Sequence, residues 1–285
     1  MKVYSFLPRE AYFGIAEEAK AQGIPFAGHV PWSVSAAEAS DAGQKSIEHL
    51  TGIFLSCSRR ETDLRKQIPQ TTPFGGRAII EANALQTYDE QKASVLFQRF
   101  VKNGTWQCPT LTVLRSSAYR EERNFRNDPR LKYMPSEVKD RWERRVEARP
   151  NFRAEEEHTY AREVYPKYFL LIAAMRRAGV QFLAGTDTGN PYCFPGFSLH
   201  DELALLVEAG LTPAEALRAA TLNPAKFLGL DETLGTIEKG KIADLVLLDA
   251  NPFQDIRNTQ RINAVVLNGR FLDRKVLDGM LAKAR

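Results

Sequence analysis

The sequence predicts an α/β fold built on a parallel sheet and followed by a small β unit. Over residues 1–228, short apolar segments alternate with amphipathic helical segments, which is typical of consecutive βα units. Over residues 229–285 this alternation gives way to short β segments and turns, such as "DLVLLDANP" and "INAVVLNGRFLD". We therefore expect two parts, with the boundary at about residue 229.

Five apolar segments are predicted as strands of the parallel sheet. In chain order they are "KVYSF", "IPFAGHV", "KSIEHL", "TWQCPTLTVL" and "VQFLAGTD". The carboxyl ends of parallel strands meet on one face of a (β/α) barrel, where active sites are built. Side chains that end these strands are therefore expected to lie close together.

The elements around these strands carry local start and stop signals. A helix is predicted over 9–22, a capping box begins at Ser35, and a further helix is predicted from a cap at Thr87 to residue 103. Thr212 begins another capping box, with proline at the first helical position. Asn268-Gly269, between two apolar runs, predicts a β-hairpin.

Two long segments interrupt the alternation. Residues 52–86 contain a charged run and a stretch rich in proline, glycine and threonine, which predicts an irregular excursion over the active-site face. Residues 115–165 are rich in both basic and acidic residues and predict a helical insertion. Such strand-end segments set substrate specificity in barrel enzymes.

Composition narrows the class of protein. The chain is 44% hydrophobic and 26% charged, as in soluble globular proteins, and its net charge of +4 predicts no nucleic-acid partner. No apolar run approaches the roughly 18–20 residues of a membrane helix, so no membrane partner is expected. Three widely spaced cysteines indicate a reducing compartment. We expect a cytoplasmic location by default, and export stays open if further sequence precedes Met1.

Three strand ends carry side chains that suit a metal ion. His29 and His49 each follow an apolar strand, and Asp187 ends "VQFLAGTD". Imidazole is a common metal ligand, and a carboxylate can both bind a metal and accept a proton from water. Only four histidines occur in the chain, so two at equivalent positions favour a metal site. Asp187 alone is equally consistent with an Asx turn.

Two further residues are ambiguous from position alone. His200 lies near the start of a helix after the Asp187 segment, where it could contact substrate, although a structural histidine is the commoner case at such a position. Lys2 would by itself be interpreted as a surface lysine.

Taken together, these residues resemble the metal-dependent amidohydrolase superfamily, in particular its prolidase-like and imidazolonepropionase-like branches. The segments that carry the resemblance are "GIPFAGHVP", "GQKSIEHL", "GVQFLAGTDTGN", "LHDELALLVEAGLTPAEALRAATLNPAKFLGL", "LGTIEKGKIADLVLLDANP" and "VVLNGRFL". The resemblance implies an incomplete TIM (β/α)8 barrel, about strands 4 to 8, over residues 1–228 with the insertion around 115–165. It also implies a small C-terminal β-sandwich portion over residues 229–285.

The resemblance also implies a role for each candidate. His29 and His49 are similar to the fifth- and sixth-strand metal ligands, and Asp187 to the eighth-strand aspartate that binds metal and moves the proton of the attacking water. "KVYSF" resembles the fourth strand, so Lys2 falls where two-metal branches have a carboxylated, bridging lysine. The implied cofactor is zinc, as one or two divalent ions, with Mn, Fe or Co also suited to such ligands.

The first-strand His-x-His pair of the superfamily occurs nowhere in this sequence. We therefore expect the chain to correspond to the C-terminal part of an amidohydrolase, beginning just before Lys2, with its metal binding and activity impaired by that truncation.

The implied reaction is hydrolysis of an amide, cyclic amide or short-peptide C–N bond by metal-bound hydroxide, on a small-molecule or dipeptide-like substrate. Hydrolysis of lactones, esters or phosphotriesters is the alternative within enzymes. An inactive fragment from a mis-started reading frame is the alternative outside them. A homo-oligomer is compatible with the sequence.

Overall fold

The computed structural model describes residues 1–68, 77–119, 122–147 and 152–284. Its strands are β1 Lys2–Val3, β2 Ala27–Gly28, β3 Ser46–Glu48, β4 Trp106–Cys108, β5 Leu245–Leu248, β6 Ile262–Leu267 and β7 Arg270–Leu272. Its α-helices are α1 Arg9–Ala21, α2 Ala36–Asp41, α3 Ile53–Ser56, α4 Glu61–Gln67, α5 Arg77–Leu85, α6 Glu90–Asn103, α7 Leu111–Tyr119, α8 Arg123–Arg126, α9 Ser136–Glu147, α10 Phe152–Arg177, α11 Phe197–Glu208, α12 Pro213–Ala220, α13 Leu222–Leu228 and α14 Arg274–Lys283. Short 3-10 helices span Pro129–Tyr133 and Ile256–Gln260.

The chain forms two compact units. The first comprises Met1–Thr110 and Pro150–Phe182, and the second comprises Leu111–Arg149 and Leu183–Arg285. The division predicted from the sequence, at about residue 229, stays a prediction.

A four-stranded parallel sheet of order β1-β2-β3-β4 forms the centre of the first unit. Helices connect its strands, as the βα alternation predicts. A parallel bridge between Gln107 and Phe182 adds one residue pair beyond β4. The mixed α/β class with a parallel sheet is therefore confirmed, whereas closure of this sheet into part of a barrel stays a prediction.

Gly28 allows β1 and β2 to approach each other beside His29. A Cβ atom at this position would lie 2.2 Å from the Val3 carbonyl oxygen, and the Gly28 φ angle is +132°. Only glycine accepts both the contact and the backbone angle at low cost. Backbone packing thus requires glycine at position 28, directly before His29.

The second unit contains a three-stranded antiparallel sheet of order β5-β6-β7. Asn268 and Gly269 connect β6 to β7 with φ angles of 50° and 73°, so the predicted hairpin is confirmed. This sheet lies within the predicted C-terminal part, and its membership of a β-sandwich stays a prediction. The core of the unit includes a cluster of buried aromatic residues, Trp142, Tyr192 and Phe194.

Helix starts match the local signals closely. Both predicted capping boxes are present, from Ser35 to Glu38 and from Thr212 to Glu215. The cap expected at Thr87 is instead Asp89, whose side chain accepts two backbone N–H groups of α6. Local side-chain bonds to orphan amides therefore account for the starts of α2, α6 and α12.

All five predicted strands are shorter in the structure, and two of them differ most from the prediction. "TWQCPTLTVL" was expected to be one strand, but β4 ends at Cys108 and α7 begins at Leu111. The Glu202 carboxylate accepts the backbone N–H groups of Leu111 and Thr112, which stabilises the start of a helix there. "VQFLAGTD" forms only the single bridge at Phe182. The first of these predictions was wrong because a contact distant in sequence begins a helix there.

The two interrupting segments are largely helical where the structure describes them. Residues 52–86 contain α3, α4 and α5 rather than an irregular excursion, and 69–76 lie outside the described residues. The predicted insertion at 115–165 contains α8, α9 and the beginning of α10. Within the described parts of the chain, no helix is both long and apolar enough to cross a membrane.

Candidate metal centre

His29 and His49 lie side by side in the first unit. His29 directly follows β2 and His49 directly follows β3, and these strands are parallel neighbours. The two ring centroids are 4.7 Å apart, with the rings nearly perpendicular. Only 7% of His29 and 6% of His49 is exposed. Parallel pairing therefore brings together two imidazoles that the strand-end pattern selects.

Glu48 joins the two histidines to form a group of three potential ligands. The ligand atoms of His29, Glu48 and His49 all lie within 4.8 Å of one another. Glu48 is not among the ligands predicted from the sequence. The signal was an acidic residue within an apolar strand, directly before a strand-end histidine.

Lys2 lies next to this group. Its Nζ atom is 2.7 Å from Oε2 of Glu48, and its side chain is half exposed. Three of the four strands of the sheet, β1, β2 and β3, thus contribute to this group or to its immediate surroundings. The carboxylation of Lys2 stays a prediction.

The Thr110 hydroxyl contacts one ring nitrogen of His49. Nδ1 of His49 lies 2.5 Å from the Thr110 hydroxyl, and that hydroxyl donates to the Pro109 carbonyl. A hydroxyl has one proton, so a Thr110 hydroxyl that donates to Pro109 accepts from a protonated Nδ1 of His49. In that tautomer the lone pair of the neutral ring is on Nε2. This is the arrangement of a metal-binding histidine held by an outer-shell partner.

His29 is oriented by two neighbours from the β1 segment. The Ser5 hydroxyl lies 2.6 Å from its Nδ1 atom. The ring of Tyr4 packs against the imidazole, with centroids 4.2 Å apart. Both histidines therefore have a hydroxyl contact at Nδ1, which restrains the orientation of each ring.

The surroundings favour the neutral form of both rings. Burial, with smaller contributions from the charges of Arg77 and Lys2, lowers the pKa of His29 to about 4. Burial is also the main cause that lowers the pKa of His49 to about 2, followed by His29 and the same two charges. Histidine must be neutral to bind a metal. Two neutral imidazoles and a carboxylate form a donor set that fits zinc, with manganese, iron or cobalt as further candidates.

Asp187 and His200 belong to the second unit. Asp187 is exposed and has a left-handed φ angle of 50°, and the Asn190 side-chain amide donates to its Oδ2 atom at 2.8 Å. Nδ1 of His200 lies 2.9 Å from the Thr259 hydroxyl, which ties that ring to the 3-10 helix at Ile256–Gln260. The catalytic role of Asp187 and the substrate contact of His200 stay predictions.

The chain is similar to amidohydrolases over nearly its full length. The model of the amidohydrolase family matches residues 7–272, so the chain belongs to that family. Imidazolonepropionase from Shouchella clausii is 40% identical over 93 residues, which cover 32% of this chain and 21% of that protein.

Solved structures extend this similarity to the fold. The bottromycin amidohydrolase has a TM-score of 0.72 at 26% identity, covering 99% of this chain and 58% of that one. A Xaa-Pro dipeptidase has a TM-score of 0.60 at 22% identity, covering 94% of this chain and 49% of that one. This chain thus spans about half the length of the structures that it matches. The family predicted from the sequence is confirmed.

Proposed function

We propose that this chain binds a divalent metal ion through His29, Glu48 and His49 and hydrolyses C–N bonds in amides, cyclic amides or short peptides. The observation that carries the proposal is the convergence of three ligand atoms within 4.8 Å. Family membership supports the hydrolytic class. We propose zinc as the metal because its preferred nitrogen and oxygen ligands match this donor set.

The residues around this group prepare it for a metal ion. Hydroxyl contacts at Nδ1 orient both rings, and burial keeps both rings neutral at pH 7. Lys2, if carboxylated as the family resemblance implies, would add a fourth ligand next to Glu48. When bound, a divalent ion supplies Lewis-acid activation of water and of the scissile carbonyl. In this proposal Asp187 takes the proton from the attacking water and transfers it to the leaving nitrogen.

The activities named for two similar proteins support a small substrate. One similar protein is an imidazolonepropionase, and one similar structure is a Xaa-Pro dipeptidase with methionine bound in its active site. We propose a small molecule or a dipeptide-like compound as the substrate class. We also propose that the parallel sheet belongs to a barrel of the (β/α)8 type and that the antiparallel sheet belongs to a β-sandwich.

Substrate assays test this proposal directly. The full chain, loaded with zinc, is incubated with N-acyl amino acids, Xaa-Pro dipeptides and cyclic amides, and separately with lactones and phosphotriesters. We expect hydrolysis of at least one C–N substrate, loss of that activity with a chelator, and its loss in His49→Asn. His158→Asn, which changes a histidine of α10, serves as the matched control and should retain activity.

Two outcomes would contradict the proposal. Turnover of lactones or phosphotriesters alone would show that the C–N assignment is wrong. Zinc-loaded protein with no hydrolysis of any of these compounds would show that the three ligands do not make the chain an enzyme.

A further inference from the structure

Arg77 connects a buried network to the backbone of His49. Its Nη2 atom donates to the His49 carbonyl oxygen at 2.5 Å. Arg77 is the first residue of α5, and only 22% of its side chain is exposed. A guanidinium in this position contacts the main chain of a proposed metal ligand, whereas the ring itself is held by Thr110.

The backbone at this contact is strained. His49 and Leu50 have φ angles of 57° and 54°, in the left-handed region that residues with a Cβ atom rarely adopt. Two consecutive residues of this kind persist only when neighbouring groups hold them in place. The His49 N–H group donates to the Cys108 carbonyl at 2.9 Å, and the Arg77 bond restrains the carbonyl on the other side.

Arg77 is itself held by two buried partners. Its Nε atom donates to Oε1 of Glu81 at 3.0 Å, and its Nη2 atom donates to the Tyr168 hydroxyl at 3.2 Å. The Tyr168 hydroxyl in turn donates to the other oxygen of Glu81. Glu81 and Tyr168 are 2% and 4% exposed. The guanidinium plane is therefore fixed by α5 and α10 together.

The electrostatics of this network keep the guanidinium charged. Burial on its own would lower the pKa of Arg77, but the charge of Glu81 and the hydrogen bonds to Glu81 and Tyr168 outweigh it and raise the pKa. Hydrogen bonds from a charged donor are stronger than those between neutral groups. The His49 carbonyl is consequently held by a strong and immobile donor.

We infer that Arg77, oriented by Glu81 and Tyr168, is a positioning residue for His49. Its bond to the carbonyl holds residues 49 and 50 in the left-handed turn from which the imidazole reaches both Thr110 and its neighbours His29 and Glu48. This inference rests on the proposed metal-binding role of His49. It assigns to α5 and α10 a function in the geometry of the metal centre.

Arg65 provides a matched control for the variant Arg77→Met. Arg65 also pairs with a glutamate four residues away, Glu61, and its side chain is 19% exposed. It too donates to main-chain carbonyls, those of Trp32 and Val34, but it makes no bond to the three proposed ligands. Arg65→Met removes a similar buried ion pair without touching His49.

The first measurement uses the metal-free full chain labelled with ¹⁵N-histidine. The chain has only four histidines, and His49→Asn assigns the signals of interest. We expect a single Nδ1–H tautomer for His49 in the wild type and in Arg65→Met. In Arg77→Met we expect a mixture of tautomers, because the turn relaxes and the Thr110 bond weakens. Arg77→Lys retains a donor and should give an intermediate spectrum.

The second measurement is cobalt(II) binding, followed by visible absorption. We expect Arg77→Met to lower the affinity by roughly 10- to 100-fold, as for other losses of outer-shell partners, and to change the absorption bands. Arg65→Met should leave the cobalt affinity and the absorption bands unchanged. It should lower thermal stability about as much as Arg77→Met does.

The two measurements separate failure of the inference from failure of the proposed function. If the wild type binds no cobalt but Arg77→Met alters the His49 tautomer, the positioning role stands and the metal function fails. Unchanged His49 signals in folded Arg77→Met would overturn the inference, and so would wild-type cobalt affinity in that variant. Should Arg77→Met not fold, unchanged signals and affinity in Arg77→Lys would overturn it equally.

Discussion

At the scale of single residues, two hydroxyl groups matter as much as the candidate ligands. Ser5 and Thr110 contact Nδ1 of His29 and His49 respectively, and the Thr110 hydroxyl also lies within hydrogen-bond distance of the Pro109 carbonyl. Each ring therefore has its orientation set before any metal binds, which lowers the cost of assembling the site.

The depressed pKa of His29 makes stability depend on pH. Because burial lowers this pKa to about 4, the unfolded chain binds a proton at His29 below pH 6.5 that the folded chain does not. Stability contributed by the neutral ring is thus complete above pH 6.5 and decreases as the pH falls to about 4. The expected loss is on the order of 3 kcal/mol.

Urea unfolding of the metal-free wild type and His29→Gln, at pH 7 and pH 4.5, measures the contribution of His29 to the pH dependence of stability. We expect the wild type to lose more of its unfolding free energy than the variant over this range. Equal losses in both proteins would show that burial does not keep His29 neutral.

The position of a site residue on its strand decides whether the sequence can predict it. His29 and His49 were predicted because each directly follows an apolar strand, and parallel strands end on one face. Glu48 was missed because it lies inside a predicted strand, and only the residues that end such strands were considered as ligands from their position. Arg77 was missed because it acts through the backbone of a residue distant in sequence.

At the scale of elements, α9 packs against the segment that follows Asp187. Trp142 of α9 is 1% exposed, and its Nε1–H group donates to the Gly189 carbonyl at 3.2 Å. Its ring lies 5.7 Å from that of Tyr192 and 5.6 Å from that of Phe194, measured between centroids. Helix α9 of the predicted insertion therefore contributes to the core of the second unit.

Trp142→Ala should destabilise the protein by about 3–5 kcal/mol, because it leaves a cavity in this aromatic cluster and removes the bond to Gly189. Denaturant unfolding measures the change. Glu143→Ala, at an exposed neighbouring position of the same helix, is the control and should change the free energy of unfolding by less than about 0.5 kcal/mol. A Trp142→Ala effect as small as that of the control would contradict the assigned packing.

Elements were predictable where their signals are local. The capping boxes at Ser35 and Thr212 and the Asn268-Gly269 hairpin depend on residues a few positions apart, and all three are present. The end of β4 was not predictable, because the Glu202 carboxylate that caps α7 comes from a distant helix. Periodicity contains no information on such contacts.

At the scale of the whole molecule, the alternation of strands and helices predicted the parallel sheet, since each βα unit is encoded over a short stretch. The family followed from longer motifs and is confirmed by the match over residues 7–272. Barrel closure depends on how all strands assemble, and no local pattern specifies it.

The central claim, a metal centre of His29, Glu48 and His49, is tested most directly by zinc titration of the metal-free full chain. We expect the wild type and His158→Asn to bind zinc equally. His29→Asn, Glu48→Gln and His49→Asn should each lose more affinity than the roughly 10- to 100-fold expected for an outer-shell residue. Zinc binding of equal strength in all five proteins, or none in the wild type, would contradict the claim.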